Sequence, residues 1–367
     1  MEKPVIRISV RNLVEFILRN GDLESGGTAG DKEAMLKGSR LHRKIQKQMG
    51  SHYQAEVSLK KDTEYEDLIL RVEGRADGIF TQNEKICIDE IKGVYKNLEL
   101  LAEPVLVHRA QALCYAWIYL DDHGLEEIDV QMTYAHLDTE MIKRFRETMT
   151  REELESWYQR LLDSYHKWLS YQMKWREERN RSMEKLEFPF IYRKGQKEMV
   201  AGIYHAISRK EQIFIQAPTG VGKTMSAVFP AVRSIGEGKA ETLFYLTART
   251  ITRTVAQDAF EILRKNGLLF KTVTIIAKEK LCFCEKPECN PETCPYAKGH
   301  YDRINDAVYE LWTNEQSFDR ETILRQAEKW QVCPFEMSLD LSVWMDAVIC
   351  DYNYVFDPNV YLKRFFG

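Results

Sequence analysis

The sequence has little that would place the protein in a membrane or outside the cell. No apolar run approaches the ~18 residues that a membrane-spanning helix needs, and the first residues lack the pattern of a signal peptide. We therefore expect a cytoplasmic protein with no membrane partner. Positive charge is not in excess, because 52 lysines and arginines stand against 56 aspartates and glutamates. Binding to nucleic acid would have to depend on local basic patches rather than on net charge.

Hydrophobic patterning predicts two regions, which suits a chain of 367 residues. In the first region it predicts a loop at 21–31, helices at 5–19, 34–49 and 103–121, and strands at 55–59, 69–80, 86–94 and 129–137. Charged residues from 140 to about 185 predict a long solvated helix that connects the regions. In the second region, a helix at 196–208 precedes strands at 212–216, 242–246 and 346–351. That order is typical of a parallel sheet covered by helices.

Five of the eight cysteines are concentrated in the second region: Cys282, Cys284, Cys289, Cys294 and, further on, Cys333. In a reducing compartment, such clustering predicts ligands of a metal or of a metal cluster rather than disulfides. Four thiolates can hold either a [4Fe–4S] cluster or a structural Zn²⁺. The spacing by itself leaves both open, although the paired C-x2–4-C knuckles usual for zinc are absent.

A phosphate-binding loop is indicated by the segment from Ala217 to Thr224, which reads A-P-T-G-V-G-K-T. It matches the pattern G-x-x-x-x-G-K-[ST] except for Ala217 at the first glycine position. In such loops the glycines let backbone N–H groups curl around phosphate oxygens. Lys223 would supply charge to the β- and γ-phosphates, and the Thr224 hydroxyl would ligate Mg²⁺. The sequence therefore predicts binding of ATP with Mg²⁺.

The segments around this loop resemble XPD/DinG-type iron–sulfur helicases of superfamily 2. The resemblance covers roughly residues 186–367 and rests on three motifs: Phe188-Pro189-Phe190 with Arg193 and Gln196, Leu246-Thr247-Ala248-Arg249-Thr250, and Asp351-Tyr352-Asn353-Tyr354-Val355-Phe356-Asp357-Pro358. It implies that Thr247 and Arg249 contact single-stranded DNA. It also implies a nucleotide-binding set: Gln196, which would recognise adenine, Thr219, Gly220, Gly222, Lys223 and Thr224.

The same resemblance bears on the cysteines and on catalysis. The family inserts a four-cysteine [4Fe–4S] domain at this point, which here would span about 277–338, with Cys282, Cys289, Cys294 and Cys333 as ligands and Cys284 as the spare. The acidic D-E-A-H box and the second motor domain of the family do not occur in the 367 residues. We therefore expect this stretch of chain to hold ATP without hydrolysing it or unwinding DNA alone, and expect those activities of a longer protein.

Two carboxylates and a lysine in the first region suggest a second site. Asp77 lies near the end of one predicted strand. Glu90 and Lys92 lie two residues apart on the next strand, so they share a face. A short turn would bring Asp77 close to Glu90. Carboxylates suit Mg²⁺ or Mn²⁺, and a lysine can neutralise charge that develops on a phosphodiester. Alone, this pattern also fits charges on a solvated strand.

The motifs around this pair resemble those of RecB-like PD-(D/E)XK nucleases over roughly residues 5–140. Gly38-Ser39-Arg40-Leu41-His42 is similar to the G-x-x-x-H motif, and Gln111 and Tyr115 to the Q-x-x-x-Y motif. The resemblance implies catalysis by Asp77, Glu90 and Lys92. It implies metal ligation by His42, Asp77, Glu90 and the carbonyl of Ile91, and DNA contacts from Gln111 and Tyr115.

Together these features predict an α/β protein with three parts. Residues 1–145 would form a PD-(D/E)XK nuclease domain with a mixed sheet flanked by helices, and residues 146–185 a charged helical connector. Residues 186–367 would form an incomplete RecA-like parallel-sheet motor domain with the helical iron–sulfur insertion. The predicted activity is metal-dependent cleavage of DNA, single-stranded or branched, by a nuclease–helicase fragment. The alternative is a non-catalytic DNA-binding or assembly module with a decayed nuclease fold.

Overall fold

The computed structural model describes residues 3–24, 32–248, 250–358 and 360–366. The chain divides into two compact units, of which the first contains residues 1–20 and 26–170 and the second residues 21–25 and 171–367. Each unit has its own β-sheet flanked by helices. The division falls within one helix, Arg151–Glu184. None of the helices in the described ranges is long and apolar enough to cross a membrane.

The first unit is built on a six-stranded mixed sheet in the order β1-β3-β4-β5-β6, with β2 paired to β3. Pairs β1–β3 and β4–β5 are parallel, and the other pairs are antiparallel. The strands are β1 (Val5–Ser9), β2 (Gln54–Glu64), β3 (Ile69–Gln82), β4 (Lys85–Val94), β5 (Glu127–His136) and β6 (Ile142–Thr150), and the helices are α1 (Val10–Ile17), α2 (Lys32–Gln48), α3 (Leu106–His123) and α4 (Arg151–Glu184), which continues into the second unit.

Two predictions in this unit are wrong. Residues 5–9 form β1 rather than the start of a helix, because Val5, Ile6 and Ile8 pair in parallel with β3, and the helix begins only after the N-cap Ser9. Residues 142–150 form β6 rather than part of a long helix, because their side chains alternate in exposure and the strand pairs with β5. Tertiary pairing overrides the local pattern at both places.

The second unit contains a four-stranded, entirely parallel sheet in the order β7-β10-β8-β9. Its core packs helices against this sheet through large apolar side chains such as Phe260, Phe270 and Ile349. The strands are β7 (Leu243–Thr247), β8 (Thr272–Thr274), β9 (Ser317–Phe318) and β10 (Ala347–Asp351), and the helices are α5 (Gln196–Arg209), α6 (Lys223–Gly236), α7 (Thr250–Lys265), α8 (Lys278–Leu281), α9 (His300–Asn314), α10 (Arg320–Trp330), α11 (Pro334–Ser342), α12 (Asn353–Phe356) and α13 (Lys363–Phe366).

The strand predicted at 212–216 is not formed. Within the described residues this segment pairs with none of the four strands of the sheet, and Ile213, Phe214 and Ile215 are 44%, 95% and 41% exposed. A strand is stable only when a neighbour completes its hydrogen-bond ladder. The apolar run that predicts a buried strand therefore lies at the surface, directly before the phosphate-binding loop.

Candidate functional site

The hairpin of β3 and β4 brings together the acidic residues and the lysine predicted as a catalytic set. Lys92 Nζ lies 2.8 Å from Glu90 Oε1, because alternate residues of β4 point to the same face. Asp77, on β3, accepts a hydrogen bond from the backbone N–H of Ile91 at 2.7 Å through Oδ2. The turn between the strands is made by Asn83 and Glu84, both with positive φ. The hairpin thus fixes Asp77 beside the segment that carries Glu90 and Lys92.

Burial dominates the electrostatics of this group. It raises the pKa of Glu90 to about 8, an effect that the nearby Lys92 opposes. Burial also raises the pKa of Asp77, against the opposing influence of His42, the Ile91 N–H and Lys92. Glu90 is 4% exposed, and its Oε2 atom is buried without a hydrogen-bond partner among the described residues. A buried carboxylate oxygen without a hydrogen bond lowers the stability of the fold. An atom of this kind in a native protein therefore calls for an explanation, such as a bound ion or a catalytic role.

Helix α2 approaches Asp77 from one side. His42 Nδ1 lies 3.7 Å from Asp77 Oδ1. One helical turn later, Gln46 Nε2 donates to the backbone carbonyl of Asp77 at 3.0 Å. The sequence motif identifies His42 but not Gln46, although their i, i+4 spacing places both on one helix face. The two residues together hold the end of β3 against α2.

Gln111 and Tyr115, predicted to contact DNA, are both buried on α3. Gln111 Oε1 accepts a hydrogen bond from Lys92 Nζ at 2.6 Å. The Tyr115 ring packs so closely against β3 that a Cβ on Gly74 would lie 2.7 Å from its hydroxyl. Gln111 therefore orients Lys92, and Tyr115 supports the strand that carries Asp77. A direct contact of either residue with DNA stays a prediction.

A network on the opposite face of the hairpin was not predicted from the sequence. Asp89, fully buried, accepts hydrogen bonds from Tyr53 Oη at 3.0 Å, Thr133 Oγ1 at 2.6 Å and Gln131 Nε2 at 3.1 Å. Burial raises the pKa of Asp89, and these three donors oppose the rise. The network joins β4 to β5 and anchors the Tyr53 ring across Gly78, the residue that follows Asp77.

The donor set near Asp77 suits a hard divalent cation. Asp77 and Glu90 offer carboxylate oxygens, the ligands that Mg²⁺ and Mn²⁺ prefer, and Glu90 Oε2 has no other partner among the described residues. His42 is close enough to contribute a ring nitrogen. Within the described residues no three His, Cys, Asp or Glu side chains are already gathered tightly around one point. The chemistry of the residues fits a metal, whereas a preformed cage is not present.

In the second unit, the phosphate-binding loop leads directly into α6. Gly220 and Gly222 have φ of +84° and +79°, values that side-chain-bearing residues rarely adopt. Lys223 Nζ donates to the carbonyls of Ala217 at 2.9 Å and of Pro218 at 3.3 Å. The helix starts without a side-chain cap, so its first N–H groups and its partial positive charge are directed at the loop. This arrangement can bind a phosphate chain.

The other residues predicted to bind nucleotide are arranged around the same loop. Gln196 Oε1 accepts a hydrogen bond from the Arg193 backbone N–H at 3.0 Å, and the Arg193 guanidinium contacts the carbonyl of Gly220. A cavity of about 450 Å³ adjoins the loop. The cavity is lined by Phe190, Arg193, Thr219, Gly220, Gly222, Lys223, Thr224, Met225, Val255, Asp258, Ala259 and Ile262.

Of the two residues predicted to contact single-stranded DNA, Thr247 ends β7 and is 2% exposed. Its Oγ1 has no hydrogen-bond partner within the described part of the chain. Arg249 lies outside the described residues.

The cysteine segment folds so that four thiols share one apolar cluster. Cys289, Cys294 and Cys333 are each at least nine-tenths buried, and Cys284 packs against them with its Sγ 3.7 Å from that of Cys294. Cys282 is half-buried and lies outside the apolar cluster, but its thiol contacts that of Cys284. Four neighbouring thiols are the type of ligand that a thiolate-bound group requires, although here too no three of the described side chains are gathered tightly around one point. The choice between Cys282 and Cys284 as the fourth ligand stays a prediction.

Comparisons with known proteins find similarity to helicases over part of the chain. The DEAD/DEAH box helicase family matches residues 193–282, and the DEAD_2 family matches residues 267–364. Regulator of telomere elongation helicase 1 homologs from Caenorhabditis briggsae and Caenorhabditis elegans are each 22% identical to this chain, over 49% and 48% of its length. The chain spans 22% of the length of either relative.

Two similar solved structures share less sequence identity with this chain than the two homologs do. An XPD helicase is 14% identical, with a TM-score of 0.31, over 48% of this chain and 30% of its own. A truncated XPD is 17% identical, with a TM-score of 0.27, over 47% of this chain and 48% of its own. Scores this low add no weight to the assignment. The two family matches show that residues 193–364 are similar to DEAD/DEAH box helicases.

Proposed function

We propose that the second unit is the ATP-binding first motor domain of an XPD-type, RecA-like DNA helicase. The observation that carries this proposal is the loop from Ala217 to Thr224, which lies at the uncapped start of α6 within the matched helicase segment. When nucleotide binds, Lys223 would exchange its hydrogen bonds to the loop carbonyls for contacts with the β- and γ-phosphates. The Thr224 hydroxyl would ligate Mg²⁺. Gln196 would recognise the base beside Phe190.

Nucleotide binding by the full chain tests this proposal directly. Lys223→Ala should reduce affinity for a fluorescent ATP analogue with Mg²⁺ by at least about tenfold, because it removes the charge facing the phosphates. Lys265→Ala removes the same charge from the exposed last turn of α7 and should leave affinity unchanged. Equal affinity for wild type and Lys223→Ala would reject the loop as the binding site.

We also propose that the first unit is a metal-dependent DNA nuclease of the PD-(D/E)XK type. Two observations support this proposal. The first is that one hairpin groups Asp77, Glu90 and Lys92, with His42 beside Asp77. The second is that Glu90 Oε2 has no hydrogen-bond partner among the described residues. His42, Asp77, Glu90 and the Ile91 carbonyl would hold Mg²⁺ or Mn²⁺, which polarises the phosphate and lowers the pKa of a bound water. Lys92, oriented by Gln111, neutralises charge on the phosphodiester. Asp77 is held in place by the Ile91 N–H.

Cleavage of labelled single-stranded and branched DNA with Mg²⁺ or Mn²⁺ tests the nuclease proposal. Asp77→Ala and Lys92→Ala should each lower the rate by at least about 100-fold. Lys85→Ala, on the same strand but in an exposed ion pair with Glu127, should cleave at the wild-type rate. A wild-type protein as inert as the two site variants, yet able to bind DNA, would instead favour a non-catalytic DNA-binding or assembly module with a decayed nuclease fold.

The cysteine cluster is proposed to hold a [4Fe–4S] cluster, with zinc as the alternative. Cys289, Cys294 and Cys333 would be ligands, and either Cys282 or Cys284 the fourth. A visible absorbance spectrum separates the two groups, because an iron–sulfur protein is brown and a zinc protein is colourless. Cys284→Ser should abolish the bound group and Cys282→Ser should retain it if the packing identifies the fourth ligand. The opposite result would identify Cys282 as the fourth ligand.

A further inference from the structure

The second unit includes a short piece of chain from near the N-terminus. Residues 21–25 belong to it, although residues 1–20 and 26–170 belong to the first unit. Gly21, Asp22 and Leu23, which we call the strap, lie against the cysteine segment and the start of α9. The sequence predicts only a loop at these positions. The strap is therefore a part of the cysteine site that no motif indicates.

The strap supplies a cap that α9 lacks locally. The N-cap residue of α9 is Gly299, which has positive φ and no side chain to accept a hydrogen bond from the helix, and the first N–H groups of a helix have no partner within it. Asp22 Oδ1 accepts from the Gly299 N–H at 2.6 Å, and the Gly21 carbonyl accepts from the Tyr301 N–H at 2.9 Å. In return, the Gly21 N–H donates to Asp302 Oδ1 at 2.8 Å.

The same contacts extend to the cysteines. The Leu23 N–H donates to the carbonyl of Ala297 at 2.9 Å, and the Leu23 side chain, 7% exposed, belongs to the apolar cluster that contains Cys289, Cys294 and Cys333. Leu23 thus removes solvent from one side of the thiols. Exposure controls how readily a thiol is oxidised or exchanged, so this cover matters for the chemistry of the site.

A second path runs through His300. His300 lies between Gly299 and Tyr301, whose N–H groups donate hydrogen bonds to the strap. Its side chain is fully buried. Its Nδ1 accepts a hydrogen bond from the backbone N–H of Cys333 at 3.1 Å. Cys333 comes 33 residues later in sequence and is the N-cap residue of α11. Fixing the first turn of α9 therefore also fixes the backbone of the most distant cysteine.

We propose that the strap is a positioning and shielding element of the cysteine site: Asp22 and Gly21 hold the start of α9, which places Cys333, and Leu23 covers the thiols. The proposal depends neither on ATP binding nor on DNA cleavage. It applies whether the thiolates hold an iron–sulfur cluster or zinc. In either case the strap limits the rate at which the bound group is lost and the rate at which the bare thiols react.

The test compares Asp22→Ala and Leu23→Ala with wild type in the full chain. Glu24→Ala is the matched control, because it removes an exposed carboxylate from the adjacent residue. Release of iron or zinc to EDTA is followed with a colorimetric chelator. Loss of a helix cap corresponds to about a five-fold effect, so both strap variants should release metal at least about five times faster than wild type and Glu24→Ala.

A second measurement needs no bound group. In metal-stripped protein, maleimide labelling of each cysteine is followed by peptide mass spectrometry. The strap variants should accelerate labelling of Cys289, Cys294 and Cys333, while Cys114 and Cys350, buried elsewhere, stay as slow as in wild type. Unchanged labelling of Cys333 in Asp22→Ala overturns the proposal. Acceleration that extends equally to Cys114 and Cys350 also overturns it, because the strap would then stabilise the fold as a whole.

Discussion

Lys271 shows how strongly the interior of the second unit controls a single charge. Its side chain is 1% exposed; Nζ donates to the carbonyl of Glu315 at 2.7 Å and lies 4.2 Å from the ring centroid of Trp175. These neighbours and Asp346 favour the charged form, but desolvation outweighs them and lowers the pKa of Lys271 to about 8. The buried amine is therefore less basic in the folded protein than in the unfolded chain.

This shift predicts a pH dependence of stability. Because the folded pKa is below the unfolded value of 10.5, the unfolded chain binds the proton first as the pH falls. The contribution of Lys271 to the free energy of unfolding should therefore rise by about 3 kcal/mol between pH 8 and 10.5. Urea unfolding of wild type and Lys271→Met across this range isolates the effect. A constant difference between the two proteins would contradict it.

Asp346 is a second buried residue on which several parts of the unit depend. Its Oδ1 lies 2.5 Å from Arg179 Nη1, and its Oδ2 accepts from Trp175 Nε1 at 2.9 Å and from the Lys271 N–H at 2.8 Å. Asp346→Ala should lower the free energy of unfolding by about 3–5 kcal/mol, because it leaves the buried Arg179 guanidinium without its counter-ion. Asp306→Ala, which removes an exposed carboxylate from α9, should change it by no more than about 0.5 kcal/mol. Similar urea midpoints for both variants would contradict this account.

At the scale of elements, the sequence predicts those parts of the fold whose pattern is local. Helices α2, α3 and α5, and strands β3, β4 and β10, all follow apolar periodicity. The errors occur where pairing between distant segments decides the structure. Strand β1 forms because β3 lies beside it, and β6 forms because β5 lies beside it. Residues 212–216 do not form a strand, because no strand pairs with them within the described residues.

The candidate sites divide in the same way. Motif spacing predicts Asp77, Glu90, Lys92 and His42 as site residues, and the fold places them on one hairpin and its neighbouring helix. It misses the roles of Gln46, Asp89 and Asp22, because their partners are distant in sequence and no short motif records them. Supporting contacts of this kind become visible only when the chain is folded.

The close packing of Tyr53 on β3 gives a test at this scale. A Cβ on Gly78 would lie 1.8 Å from the Tyr53 ring, so Gly78→Ala must displace Tyr53 from Asp89. Overpacking of this kind costs about 1–3 kcal/mol, and the displacement should also disturb Asp77 and reduce any DNA cleavage. Gly38→Ala on α2 has open space around the added methyl group and should instead stabilise the helix by about 0.5–1 kcal/mol. Thermal unfolding measures the melting temperatures of Gly78→Ala and Gly38→Ala. Equal melting temperatures would contradict the predicted clash between a Cβ at position 78 and the Tyr53 ring.

For the whole molecule, the two units have separate sheets and separate proposed ligands. Strands β1–β6 form one sheet and β7–β10 the other, and the sets proposed to bind a divalent metal and ATP lie one in each unit. A ligand that binds only the folded form of a unit raises the stability of that unit by RT ln(1 + [L]/Kd), which is about 2.7 kcal/mol at one hundred times Kd.

Calorimetry should therefore resolve two unfolding transitions that respond to different ligands. Mn²⁺ should raise the melting temperature of one transition, and Asp77→Ala should abolish that rise while leaving the response to nucleotide intact. With the divalent metal already present, a non-hydrolysable ATP analogue should raise the other transition, and Lys223→Ala should abolish only that effect. Asp346→Ala identifies the transition of the second unit, because it lowers that transition without ligand. A single transition that both ligands shift together would show that the units unfold cooperatively, since stabilisation of one would then require the other to remain folded.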